Sequence, residues 1–340
     1  MNENLRHRFF AVEEALNDPI TLGAVCIIVG VLVVTRLVIL VLRRTGRIPD
    51  SPYQDVLLRW RSWLFLSVIL FAPVVLGTAW VMAAVCLLSL LCYQEFARAT
   101  GLFREKVISL AVLFGIGLVT FAGVDNYSRL FFAAAALTVG LIAIITIPQD
   151  RPRGYIQRTA LGVLGFLLFG YCFGYIGYFA NSHLYRHILI LLVMGTELND
   201  VFAFCCGKLI GGPKAIPNTS PGKTWAGCLG ALVLTTAFVM TLGHFVFKDT
   251  DVDRFFPLLI FGAGLSVLGQ FGDLLLSSIK RDVGLKDIGS VIPGHGGLLD
   301  RFDSLVLVPP AAFHYLSLFL GPLGMDEAHR DQAQRILTGG

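Results

Sequence analysis

Long apolar runs recur along nearly the whole chain, separated by short polar connections. A helix that crosses a bilayer needs about 20 mainly apolar residues, because the hydrocarbon core is about 30 Å thick. Ten segments meet that pattern, at roughly 21–42, 62–77, 79–95, 107–123, 129–147, 159–180, 185–206, 225–247, 256–279 and 304–321. The second and third are short and meet at Ala72-Pro73, which predicts a helical hairpin. Apolar runs of this length predict an all-α fold, a polytopic integral membrane bundle of about ten transmembrane helices. No heptad array, soluble domain, internal repeat or low-complexity segment interrupts it.

The polar connections set the expected orientation. Arg43, Arg44, Arg47, Arg59 and Arg61 follow the first run, and Arg98, Arg104 and Lys106 follow the third. Arg151, Arg153 and Arg158 follow the fifth, Lys208, Lys214 and Lys223 the seventh, and Lys280, Arg281 and Lys286 the ninth. The alternate connections, 123–128 and 249–254, carry few or balanced charges. Basic loops stay cytoplasmic, so ten spans with both termini outside are expected. The chain divides into 1–50 (an extra amino-terminal span and basic cytoplasmic linker), 51–183 (middle spans), 184–325 (a carboxy-terminal catalytic membrane region) and 326–340 (a polar tail). No cleavable signal is evident, because no small-residue cleavage site interrupts the first run.

Composition agrees. The 340 residues are 55% hydrophobic and 15% charged, where a soluble domain carries about 25% charged residues. The net charge of +4, without a dense basic tract, argues against nucleic acid as a partner. Seven cysteines lie in or beside apolar runs without a CxxC pair or zinc-type spacing, as small buried hydrophobes do.

Charges inside spans are the informative exceptions, since an Asp at mid-membrane costs about 2.5–3.5 kcal/mol. The seventh run carries Glu197, Asn199 and Asp200, and the ninth carries Asp273. One alternative is a structural polar pair buried between helices. Asp273, Ser277 and Lys280 are spaced to share one helical face. A loop rich in glycine follows, from Lys286 through Pro293 and His295 to Gly297, and Asp300-Arg301-Phe302-Asp303 then opens the tenth run. Three apart, Asp300 and Asp303 are expected on one face at a helix start, where the dipole favours anions. Three convergent carboxylates, Asp273, Asp300 and Asp303, suit Mg²⁺, a hard cation held by a few carboxylates, water and substrate phosphates. Lysines and arginine beside them suit a triphosphate, so the set reads as phosphoryl or nucleotidyl transfer. Ser220-Pro-Gly-Lys-Thr-Trp225 ends like a P-loop, but Pro217 stands where the required glycine would be and no strand precedes it. It reads instead as a Pro-Gly turn that aims Lys223 at a phosphate, the alternative being a juxtamembrane anchor on lipid headgroups.

From Ser277 to Asp303 the chain resembles the signature of the phosphatidate cytidylyltransferases (CDP-diacylglycerol synthases): Ser277, Lys280, Arg281, Lys286, Asp287, Gly289, His295, Gly296, Gly297, Asp300, Arg301 and Asp303 fall in place. Ser220–Trp225 resembles that family's second motif, Asp200 its earlier acidic position, Gly272-Asp273 its Gly-Asp, and Glu95 more weakly another position. The close match spans roughly 196–305. Leu276 stands where the family often has Glu, Ala226 where Glu or Gln is usual, and Asn199-Asp200-Val201 replaces a small-Asp-Thr/Ser step.

The resemblance implies transfer of CMP from CTP to phosphatidic acid or a similar lipid phosphate, giving CDP-diacylglycerol and pyrophosphate, with Mg²⁺ as cofactor. It implies Asp273, Lys280, Asp300 and Asp303 as catalytic residues, with Asp273, Asp300 and Asp303 on the metal. Asp200, Ser220, Lys223, Thr224, Ser277, Arg281, Lys286, His295 and Arg301 would contact substrate, His295 as a loop-shaping or phosphate-contacting residue rather than a base. The setting would be a bacterial inner membrane with the active site facing the cytoplasm, membrane lipids as partners and a homodimer left open. Three rivals stand beside it. A transporter would show repeats and broken helices in both halves. A CDP-alcohol phosphotransferase would show Asp-Gly-x-x-Ala-Arg. A weakened paralogue would use another lipid phosphate or only bind lipid.

Overall fold

The structure is a computed structural model describing residues 12–45, 50–285, 288–289, 297–321 and 323, without the side chains at 50–52, 55 and 59. Lys286, His295 and the 326–340 tail lie outside the described residues.

The chain is a helical bundle. Its helices are α1 (Val12–Asn17), α2 (Pro19–Arg44), α3 (Asp50–Leu76), α4 (Thr78–Thr100), α5 (Lys106–Val124) and α6 (Ser128–Ile145). There follow α7 (Tyr155–Gly165), a π-helical turn (Phe166–Cys172), α8 (Phe173–Phe179), α9 (Tyr185–Leu209), α10 (Trp225–Val246), α11 (Phe255–Asp282) and α12 (Val308–Leu320). Among the described residues, nine helices are long and apolar enough to cross a membrane, with Tyr155–Phe179 counted as one. They match the first nine expected spans within a few residues, except that α3 begins well before 62. Exposed Val29, Val33, Leu37, Phe65, Phe114, Leu137 and Val233 give the bundle the apolar exterior that lipid requires.

The structure corrects three expectations. The break between the second and third spans falls at Gly77, whose φ of +126° ends α3, and not at Ala72-Pro73. Pro73 sits inside the last turn of α3, where its carbonyl still accepts from the Gly77 N–H at 3.1 Å. The tenth helix starts at Val308 rather than 304 and has 13 residues, or about 20 Å of rise, less than the bilayer core. Pro309 and Pro310 suit a first turn, where a missing N–H costs nothing, so they mark the helix start. Asp300 and Asp303 therefore lie in a run of turns and bends, not on a helical face. A two-stranded antiparallel hairpin, β1 (Lys214–Ile216) and β2 (Ser220–Thr224), fills the connection between α9 and α10, with Lys214 opposite Thr224 and Ile216 opposite Ser220.

Two features hold the helices that carry the polar residues. Gly227 of α10 lies so close to α9 that a Cβ there would stand 2.6 Å from the Ala203 carbonyl, the close approach that small residues permit in membrane bundles. Next to it, Asn199 is fully buried, and its Oδ1 accepts from the Thr235 hydroxyl at 3.0 Å and the Ser266 hydroxyl at 2.6 Å. One side chain thus joins α9, α10 and α11. At the opposite end of α9, Arg186 pairs with Glu14 at 3.3 Å and His187 with Asp18 at 2.8 Å. The starts of α2 and α9 therefore lie at the same end of the bundle, as the alternation of spans one and seven requires.

Candidate active site

Polar side chains from five places converge at the other end: the last third of α9, the β hairpin, the end of α11, the turns before α12, and the end of α4. Every one of these lies where an odd-numbered span hands over to an even-numbered one. The basic loops of the charge pattern share this end.

Asp273 and Ser277 are one turn apart on α11, and the Ser277 hydroxyl donates to Asp273 Oδ1 at 3.2 Å. Lys280, a turn further, donates to Asp300 Oδ1 at 3.0 Å and lies 3.7 Å from Asp303 Oδ2. The shared face expected for these three residues is present. Lys223 reaches across from β2 to Asp273 Oδ2 at 2.7 Å and to the Gln270 carbonyl at 3.4 Å. Arg281 Nε donates to the Thr219 carbonyl at 3.3 Å, which ties the hairpin turn to α11. The Thr224 hydroxyl caps α10, accepting from the Gly227 N–H at 3.1 Å. Ser220 sits in β2 opposite Ile216.

Gly272 lets the turns before α12 press against α11: a Cβ there would stand 2.5 Å from the Asp303 carbonyl. Asp303 is consequently buried. Burial first, and then the Asp273 carboxylate, push its carboxyl well above the usual range, with Lys280 opposing and Asp200 reinforcing the rise. Its Oδ1 accepts from the Ser304 N–H at 2.9 Å, and the Ser304 hydroxyl donates to Asp200 Oδ2 at 2.7 Å. Ser304 was not among the residues singled out from sequence, since a lone serine in an apolar run carries no motif.

Asp300 is held within the site by several hydrogen bonds. Both its oxygens are engaged, Oδ1 by Lys280 and Oδ2 by the backbone N–H groups of Ile288, at 3.2 Å, and Gly297, at 3.0 Å. Glu95, at the end of α4, does similar work from the other side: it accepts from the Leu298 N–H at 3.0 Å and the Leu299 N–H at 2.8 Å. Two carboxylates distant in sequence thus hold one turn by its backbone donors.

A cavity of about 400 Å³ opens beside these groups. It is lined by Glu197, Asp200, Asp300, Arg301 and Asp303 together with Trp63, Leu66 and Leu70 of α3 and Val201 and Phe204 of α9. Arg301 acts electrostatically on Glu197. The lining combines charged and large apolar side chains, as suits a molecule with a charged head and a hydrocarbon body. Trp63 had no motif to mark it; Glu197 stood out in the sequence as a charge within a span.

Among the described residues, no three His, Cys, Asp or Glu side chains are disposed to ligate a metal. The trio expected from sequence, Asp273, Asp300 and Asp303, is interleaved with two lysines, Lys223 at Asp273 and Lys280 between Asp300 and Asp303. Asp273 and Asp200 both act on Asp303, and carboxylates are the donors a hard divalent cation takes. Lys223 and Lys280 supply the neutralising charge there.

The pattern of the cytidylyltransferase family matches residues 57–319. The chain is 28% identical over 278 residues to an uncharacterized Escherichia coli (strain K12) protein, YnbB, covering 79% of this chain and 90% of that one. It is 40% identical over 222 residues to a phosphatidate cytidylyltransferase of Rickettsia felis (64% of this chain, 85% of that one). It is 32% identical over 233 residues to a phosphatidate cytidylyltransferase of Bacillus subtilis (strain 168), covering 64% and 82%.

Proposed function

Because this chain belongs to the cytidylyltransferase family, we propose that it transfers CMP from CTP to phosphatidic acid, or to a closely similar lipid phosphate, in the plane of a bacterial inner membrane. A family of nucleotidyl-transfer enzymes leaves no place for the transporter reading. The products are CDP-diacylglycerol and pyrophosphate. A lipid phosphate oxygen attacks the α-phosphorus of CTP, a new P–O–P link forms, and the bond to the departing pyrophosphate breaks. At neutral pH the attacking phosphate is already ionised, so the site needs no strong base.

The observation that carries this reading is the mixed cavity. Its carboxylates belong to the set that holds the lysines, and its apolar lining comes from two membrane helices. Lys223, Lys280 and Arg281 would take the triphosphate oxygens, and Lys223 and Lys280 are already placed by the carboxylates they neutralise. Ser277 and Ser304 orient Asp273 and Asp200 through hydrogen bonds. Asp300 and Glu95 shape the turn that brings Arg301 to the cavity. Mg²⁺, held by Asp273 and Asp303 with Asp200 beside them, would neutralise charge on the phosphates when bound. Trp63, Leu66, Leu70, Val201 and Phe204 would receive the glycerol and upper acyl chains. The basic loops at the same end support a site on the cytoplasmic side, where CTP is available.

The test is radiolabelled CTP supplied to the purified chain with a panel of lipid phosphates in detergent. Label appearing in a lipid product with phosphatidic acid, together with pyrophosphate release, is the expected result. Product only with another lipid phosphate would keep the chemistry and change the acceptor. No product with any of them would overturn the proposal.

A further inference from the structure

A second polar cluster lies away from the cavity, between α2 and α3. Arg36 stands inside the apolar run of α2, about 12 Å from its carboxyl end at about 1.5 Å per residue. An arginine at such depth is costly and normally marks a ligand or pathway. Its guanidinium lies over the Trp60 ring at 5.4 Å, and that of Arg43 lies over the Tyr53 ring at 4.1 Å. The Tyr53 hydroxyl lies beside both guanidiniums. The aromatic pair is fixed: the Trp60 indole N–H donates to the Leu32 carbonyl at 3.0 Å, and Tyr53 is buried with Ile39 and Leu57 in a small core of its own. Among the described residues neither arginine has a carboxylate partner, and Arg36 Nη1 is buried without an acceptor. A buried charged donor left unpaired costs more than a typical hydrogen bond gains. Among the described residues, Arg36 Nη1 is thus a donor that an anionic acceptor would satisfy.

We propose that Arg36 and Arg43, braced by Tyr53 and Trp60, bind the phosphate of an anionic phospholipid in the leaflet that faces the carboxyl end of α2. Two guanidiniums offer the forked donors that phosphate oxygens accept. Val33, Leu37, Val38 and Val41 around them are exposed and apolar, so an anion reaching this depth must carry hydrocarbon with it. That favours a lipid headgroup over free phosphate. Tyr and Trp beside the arginines fit the interfacial layer, where headgroups sit. The whole of α2 lies before the family match at 57–319. Both arginines and Tyr53 thus lie outside the part of this chain that the family pattern covers, with Trp60 just inside it, and the site does not depend on the catalytic reading.

The test is native mass spectrometry of the purified full chain titrated with phosphatidylglycerol, an anionic lipid other than the proposed acceptor. Wild type should hold one phosphatidylglycerol more tightly than Arg36→Gln, the single change weakening it roughly fivefold and Arg36→Gln/Arg43→Gln removing it. Phosphatidylcholine should not distinguish the variants, and excess inorganic phosphate should not displace the bound lipid. Equal phosphatidylglycerol binding by wild type and the double variant overturns the site; displacement by inorganic phosphate overturns the lipid assignment. A second measurement avoids the arginine variants. Brominated phosphatidylglycerol should quench the Trp60 fluorescence, defined against Trp60→Phe, more than brominated phosphatidylcholine at the same mole fraction, and equal quenching overturns the proposal.

Discussion

The ammonium of Lys223, on a β hairpin, meets the carboxylate of Asp273, inside a membrane helix, at 2.7 Å. The pair joins two motifs that are far apart in the chain and puts the hairpin over the end of α11. Both side chains are mostly enclosed, so removing either leaves the other charge poorly compensated. Lys223→Ala and Asp273→Asn are each expected to lower kcat/KM for CTP by about 10²–10³-fold, the scale of losing one preorganised electrostatic contact. Steady-state assays on variants that elute normally in detergent check this. Near-normal rates for both would remove these residues from the site.

Asp273 and Asp300 should differ in kind. Asp300 organises backbone N–H groups and Lys280, whereas Asp273 and Asp303 face each other's charge. Asp273→Asn should raise the Mg²⁺ concentration giving half-maximal rate. Asp300→Asn should cut the maximal rate severely without moving that concentration. Titrating Mg²⁺ at saturating CTP separates the two, and a shifted Mg²⁺ midpoint for Asp300→Asn would return that residue to the metal.

Glu95 is the long-range clamp on the catalytic turn. In Glu95→Ala the Leu298 and Leu299 N–H groups lose their acceptor, which costs about 1–3 kcal/mol per unsatisfied buried group. Activity and resistance to proteolysis near the turn should fall together, and Glu95→Gln, which keeps one carbonyl oxygen, should restore part of both. Unchanged proteolysis in the alanine variant would count against the clamp.

The apolar residues that line the cavity make a separate prediction about the acceptor. Trp63→Ala should raise KM for the lipid phosphate several-fold and leave KM for CTP unchanged, as expected when a side chain contacts one substrate only. Equal effects on both would mean that the hydrocarbon lies elsewhere.

Asp18 caps α2, accepting from the Thr21 N–H at 2.9 Å and meeting His187 at 2.8 Å. Burial alone would raise its carboxyl, but the bonds from Thr21 and His187 outweigh it and hold the pKa below 3.8. A depressed folded-state pKa contributes stability that is complete above the unfolded value and is lost as pH falls through the folded one. The Asp18 contribution should therefore be constant from neutral pH down to about 4 and vanish only in stronger acid. Asp18→Ala should lower stability by about 1 kcal/mol, the usual worth of a cap. Melting curves in detergent at neutral and acid pH test both statements.

Much of the bundle was legible from hydropathy alone, because lipid obliges each span to satisfy its own backbone and to be apolar for about 20 residues. Asp273, Ser277 and Lys280 were legible for the same reason: helical periodicity fixes which side chains share a face. The tenth helix was misjudged at its start, since the apolar run from 304 does not reveal that the chain turns until the prolines. Trp63 and Ser304 carry no pattern and became visible only where helices met.

By itself, the sequence determined the helical spans, their alternation, and which charged residue types sit near which span ends, because those follow from local composition and the dimensions of a bilayer. Only the tertiary structure decided which charges face one another. Lysine, carboxylate and backbone donor compete for the same oxygens. Whether Asp300 serves an ion or a loop depends on a distance that packing across α4, α11 and the hairpin sets, and that no local pattern encodes.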